Sequence, residues 1–215
     1  MTARGPYPVL ALAALAASFA APLLPRAPFA TYFGPLPAPV AMILVAGAGL
    51  FAVIRLQNAG WAPGVWPPVP RVLRLVGTGA AFALPTLALD LALPFPEGIN
   101  APQPEALAFY PAIGFVAETV FHLLPFALLS LVVPTRPAVA IAACALVEPA
   151  FQVVAGGGLD LRNAIMAAIL FAFGLLQMQM LHRHGFAAAF TLRIGYYLIW
   201  HIVWGVARLP LLYPS

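Results

Sequence analysis

Lysine is absent from this chain of 215 residues, and all ten of its basic residues are arginines. Without a lysine amine no retinal-type Schiff base can form, so a helical bundle here is not a rhodopsin-like pigment. Cysteine is nearly absent too. Cys144 stands alone, which excludes an internal disulfide and any cysteine-only metal site. Charge is scarce: Asp, Glu, Lys and Arg make up 7% of the chain, against about 25% in average soluble domains. So few charged groups cannot cover the surface of a soluble domain of this length. The arginines are scattered singly between apolar segments rather than clustered, which excludes a nucleic-acid patch despite a pI near 9.7.

Hydrophobic residues supply 63% of the sequence, and the solvent they imply is the lipid bilayer. Apolar runs bounded by proline, glycine or charge fall at about 7–24, 38–56, 72–93, 106–133, 137–154, 161–181 and 187–209. At about 20 residues per span, these predict an all-α fold: a polytopic transmembrane helix bundle of about seven spans, within a range of six to eight. Residues 1–215 then form a single integral membrane domain with no room for a soluble one. The run at 106–133 reads as one tilted helix kinked at Pro125, or as a helix with an interfacial extension. The first run reads either as a retained helix or as a cleaved signal sequence ending in Ala17-Ser18-Phe19-Ala20. Its length and its minimal positive flank favour retention.

Orientation follows from the arginines, because positively charged loops stay cytoplasmic. With seven spans, Arg4, Arg55, Arg71, Arg74, Arg136 and Arg183 share one side. Arg26, Arg162 and Arg208 share the other with the acidic stretch from Pro94 to Glu105. The expectation is a plasma-membrane protein with its N-terminus cytoplasmic. The segment from Gly60 to Pro68 carries Trp61 and Trp66 and precedes Arg71 and Arg74, as an interfacial loop touching lipid headgroups would.

An ionisable side chain inside a span costs about 2.5–3.5 kcal/mol on insertion scales, so each one asks for a partner or a purpose. Glu118 and His122 share the fourth run, Glu148 and Gln152 the fifth, Gln177 and Gln179 the sixth, and Arg193, Tyr197 and His201 the seventh. Spacings of four place Glu118 over His122, Glu148 over Gln152, and Arg193, Tyr197 and His201 in one stripe ending at Gly205. Asp90 lies near enough to a helix end to be hydrated.

Two carboxylates and two imidazoles facing one interior suffice for hydrolysis, with a buried carboxylate exchanging protons with water. Glu118, His122, Glu148 and His201 could equally ligate a divalent metal such as zinc. In the structural alternative, Glu118 bonds His122, Glu148 pairs with Arg193, and His201 donates to a backbone carbonyl, all joining helices. Gln177 and Gln179 read as interhelical contacts.

The stretch from Phe173 through His182-Arg183-His184-Gly185 to Tyr197-Leu198-Ile199-Trp200-His201 resembles the end of the CPBP family of intramembrane proteases. That family includes the CAAX prenyl endopeptidases and bacteriocin-immunity proteins. Its last helix carries a His-x-x-x-Asn/Asp motif, and His201 matches the histidine. Ala117-Glu118-Thr119-Val120-Phe121-His122 is similar to the family's Glu-Glu-x-x-x-Arg motif, with Glu118 on the second glutamate and His122 on the arginine; another register puts Glu118 on the first. Cys144 to Glu148 is similar to Phe-x-x-x-His, with Glu148 on the histidine.

The resemblance covers residues 106–209. It implies a CPBP-like core and an intramembrane endopeptidase, in metalloprotease form if a metal is bound. The substrate it implies is a prenylated or membrane-anchored peptide, cut near the cytoplasmic face. Glu118 would be general base, His122 its orienter, and Glu148 with His201 would bind water or a metal. Gly205 stands where the motif has Asn or Asp, and loss of an oxyanion donor costs about 100- to 1000-fold in rate. The alternative is therefore a noncatalytic relative, acting as an interaction scaffold or as a conduit for protons or small solutes.

Overall fold

The computed structural model describes residues 5–20, 28–29 and 33–214, and among these there is no strand. The principal helices are α1 (Pro6–Phe19), α2 (Ala38–Asn58), α3 (Val69–Ala92), α4 (Ala106–Val132), α5 (Pro137–Ala155), α6 (Leu161–His184) and α7 (Phe186–Leu212). Six of them, α2 to α7, are long and apolar enough to cross a membrane, so the chain is an all-α integral membrane bundle. The first helix differs from expectation. It has 14 residues, about 21 Å at 1.5 Å per residue, against a hydrocarbon core of roughly 30 Å. It is nevertheless built into the core: Tyr7 is buried, donates to the Ala46 carbonyl at 3.2 Å and packs on Phe115 and Phe186. Arg4 and Arg26, both used in the orientation argument, lie outside the described residues.

Prolines shape the two helices that carry the acids. Pro125 cannot donate to the Phe121 carbonyl, and its ring would crowd that carbonyl in a regular helix. Immediately before it, Glu118–Leu123 widens into a π-helical segment within an otherwise continuous α4. Pro149 likewise cannot donate to the Ala145 carbonyl, and α5 breaks at Leu146 into Pro137–Ala145 and Val147–Ala155. The break leaves Glu148 in the first turn of a fresh helical segment, whose dipole favours a carboxylate. A second π-helical segment, Leu198–Val203, interrupts α7.

Close backbone approach fixes α3 against α7. A Cβ added at Gly79 would lie 2.0 Å from the Leu192 carbonyl oxygen, and one at Gly195 would lie 2.3 Å from that of Val76. Small residues at such crossings are how membrane helices gain packing contacts without a hydrophobic driving force.

The two ends of the bundle differ in charge. At one end Arg71 meets His184 at 3.3 Å, Arg55 donates to the Ser130 carbonyl, and His182 donates to the Trp61 carbonyl at 2.6 Å. At the other end Asp90 and Arg208 are both fully buried, correcting the expectation that Asp90 is hydrated. Arg208 donates to both Asp90 oxygens at 2.7 and 3.0 Å and to the carbonyls of Phe95, Pro96 and Glu97. Asp90 also accepts from Trp204 Nε1 and the Phe95 amide, each at 2.7 Å. This network ties the α3–α4 connection to α7 and is complete in itself.

Candidate functional site

Arg193, on α7, is the centre of the polar interior. Its Nε donates to Glu118 Oε2 at 2.8 Å, and its Nη1 and Nη2 donate to Glu148 Oε1 and Oε2 at 3.0 and 2.8 Å. Nη1 also donates to the Tyr197 hydroxyl at 3.2 Å, and Nη2 to His122 Nδ1 at 3.2 Å. The five N–H bonds of the guanidinium are thereby all engaged. A guanidinium has no acceptor, so Nδ1 of His122 accepts and the ring proton sits on Nε2, the neutral tautomer. Gln177 on α6 donates to Glu118 Oε2 at 2.7 Å. Among the described residues, Glu118 Oε1, His122 Nε2 and Gln177 Oε1 are buried without a hydrogen-bond partner.

Glu118, His122 and Glu148 therefore converge as the sequence predicts, but on an arginine. His122 stands 3.7 Å from Glu118 Oε2 and 3.9 Å from Glu148 Oε2, beyond hydrogen-bond length from either. The π-helical segment places Glu118 and His122, and the break at Leu146 places Glu148. Arg193 is the central side chain of this cluster, and the four-residue site predicted from the sequence leaves it out. It was legible as a charge in the middle of a span, the costliest residue there.

His201 sits apart from this cluster. Its Nδ1 lies 2.7 Å from Asn100 Oδ1, its ring stacks on Tyr110 at 4.1 Å, and Tyr197 meets it edge-on at 4.7 Å. An amide oxygen only accepts, so Nδ1 carries the proton and Nε2 is the bare nitrogen, with no hydrogen-bond partner among the described residues. Asn100 comes from the α3–α4 connection and fills space left by Gly205: a Cβ there would meet the Asn100 side chain at 3.2–3.3 Å. No sequence signal marked Asn100, which is far from His201 along the chain.

The two groups share a cavity of about 650 Å³, within the range of small-molecule sites. Most of its wall is apolar and aromatic, including Phe121, Phe151, Tyr196 and Trp200; Glu148, Gln152, Arg193, Tyr197 and His201 give it one polar side. Glu118 and His122 lie behind Arg193 and do not line it. Its residues come from the start of α2, the first half of α4, the end of α5, the first half of α6 and the middle of α7. That is the half of the bundle nearer Asp90 and Arg208. It lies away from the arginine-rich end, the end for which the sequence predicts a cytoplasmic location.

The four residues proposed as metal ligands do not fit a divalent cation. A guanidinium occupies the space between the two carboxylates and already binds three of their four oxygens. His201 is held by Asn100 and makes no hydrogen bond or ion pair with the carboxylate cluster. Among the described residues, no group of three or more His, Cys, Asp or Glu could hold a metal ion. Cys144 is buried in the core and does not line the cavity. Comparison with known protein families, curated proteins and solved structures finds no match.

Proposed function

We propose that the chain is a noncatalytic, CPBP-like membrane protein that binds the apolar chain of a membrane amphiphile in its interior cavity. The observation that carries this reading is the engagement of Arg193. Both Glu148 oxygens are bonded to its guanidinium, and Glu118, whose Oε1 is unpartnered, lies behind Arg193 and off the cavity, so neither carboxylate is placed to take a proton from a cavity water, as the hydrolytic assignment requires. What remains is a largely apolar cavity with one polar side, the usual make-up of a ligand site. The relation to CPBP proteases is part of the proposal and rests on the motif order along α4, α5 and α7.

A second reading is favoured by a separate observation. His201 presents a bare Nε2 in the cavity wall and is oriented through Nδ1 by Asn100, the arrangement of a histidine general base. On this reading the cavity cleaves a prenylated or membrane-anchored peptide with His201 activating water.

Purified protein in lipid nanodiscs, offered a farnesylated peptide and a transmembrane peptide, separates the two readings. Binding without cleavage is expected, with binding lost in Val120→Trp, which fills the cavity. Cleavage by the wild type that disappears in His201→Ala, with folding retained, would replace the binding reading by the hydrolytic one.

A further inference from the structure

We infer that the cavity seats the polar end of its amphiphile against Arg162 and selects chains ending in an oxyanion, a carboxylate or a phosphate. The inference rests on the amphiphile-binding reading and specifies its ligand class. It follows from which donors in the wall are already engaged.

Arg193 and Arg162 are the two cations that line the cavity. Arg193 has no N–H left to donate. Arg162 has committed one of its five: Nη1 donates to the Pro94 carbonyl at 3.0 Å, Nη2 stands 3.8 Å from Asp160 Oδ2, beyond hydrogen-bond length, and Nε is buried without a partner. The group is nevertheless held in place, since it also lies over the Phe95 ring at 5.0 Å. A fixed guanidinium with idle donors suits an oxyanion, which it can bind through paired, charge-assisted hydrogen bonds. Asp160 is a weak competitor, because its side chain is 58% exposed and its Oδ1 is taken by the Asn163 amide.

The surroundings of Arg162 fit both ends of an amphiphile. Arg162 stands in the first turn of α6 and touches the α3–α4 connection, at the end of the bundle where a polar head meets the membrane surface. Met166, Leu170 and Phe173 follow it at spacings of four, four and three, which puts all four residues on one helix face, and all four line the cavity. An apolar track of about 16 Å thus leads from the cation into the bundle. Gln152 adds an exposed amide donor to the wall, one turn before Gly156, whose carbonyl accepts from Asn163. The opposing charge lies deeper. Glu118 and Glu148 outnumber Arg193 by one formal charge, but Glu148 is about 12 Å along α5 from Gly156, and both its oxygens are covered by Arg193. The bare Nε2 of His201 is an acceptor, so it turns an anionic head away from that side and leaves Arg162 as its seat.

The test uses the full chain in phosphatidylcholine nanodiscs and two photo-crosslinking probes, a diazirine-bearing hexadecanoic acid and the matching hexadecanol, with adducts mapped by mass spectrometry. Unlabelled hexadecanoate, hexadecyl phosphate, hexadecanol and hexadecylamine serve as competitors, the first two separating a carboxylate head from a phosphate. The acid probe is expected to label the face carrying Met166 and Leu170 saturably and to be displaced by at least one of the anions, with the alcohol and the amine weaker by about tenfold or more. Arg162→Gln, which keeps an amide donor for the Pro94 carbonyl, should erase that preference, and Arg162→Lys should retain part of it, with unfolding midpoints measured alongside. Alcohol or amine competing as well as both anions in the wild type, or an unchanged preference in a folded Arg162→Gln, overturns the inference. Saturable cavity labelling by the alcohol probe but not by the acid overturns it too and leaves the amphiphile-binding reading standing. Failure of both probes removes that reading as well.

Discussion

Taking the guanidinium of Arg193 away would strand two buried carboxylates, and breaking a buried pair in this way costs about 3–5 kcal/mol. Arg193→Met should therefore lower the thermal unfolding midpoint of the solubilised protein sharply. Arg193→Lys should fall between, because an ammonium cannot fork to both Glu148 oxygens while also reaching Glu118. Replacing the whole set, with Glu118→Gln and Glu148→Gln added to Arg193→Met, should recover much of the loss by removing the unpaired charges. An Arg193→Met protein as stable as the wild type would show that the network does not hold the helices together. At this scale the sequence discloses what local spacing can disclose. The stacking of Glu118 over His122 and the pairing of Glu148 with Arg193 were both readable, as was the cost of each charge in a span. The Asn100–His201 and Asp90–Arg208 bonds were not, since each joins a connection or helix end to α7 across more than a hundred residues.

Helix ranges were readable to within a few residues because hydropathy and proline punctuation act locally. What the helices do internally was less so. A proline predicts a disturbance but not its form: Pro125 follows a π-helical widening, whereas Pro149 follows a break. Glycines carry the same ambiguity, and α3 contains two that separate the cases. Gly79 faces the Leu192 carbonyl, while a Cβ at Gly77 meets nothing within 4 Å. Gly79→Ala should therefore force α3 off α7 and destabilise by about 1–3 kcal/mol, the usual cost of overpacking. Gly77→Ala adds a better helix former where there is space and should be neutral or stabilising by up to about 1 kcal/mol. Unfolding midpoints of the two variants, measured side by side, check the α3–α7 crossing; similar midpoints would mean that the helices do not touch as described.

Charge at the scale of the whole molecule ties the cavity to a side of the membrane. Arg55, Arg71, Arg74, Arg136 and Arg183 lie at one end, and no acidic residue of the sequence joins them there. Asp90, Glu97, Glu105 and Asp160 lie at the other end, where Arg208 is bonded to Asp90 and Arg162 stands near Asp160. The positive-inside rule predicts that the first end faces the cytoplasm. The cavity lies in the opposite half, so its ligand would enter from the non-cytoplasmic leaflet, out of reach of a prenylated chain on the cytoplasmic face. The single native thiol makes this testable. In a Cys144→Ala background, Gly98→Cys places a thiol in the α3–α4 connection beside the cavity end, and Thr135→Cys places one between α4 and α5 at the arginine-rich end; both positions are exposed. In intact cells a membrane-impermeant maleimide should label Gly98→Cys, and should label Thr135→Cys only after permeabilisation. The reverse pattern would turn the cavity toward the cytoplasm and restore a cytoplasmic lipidated peptide as a ligand.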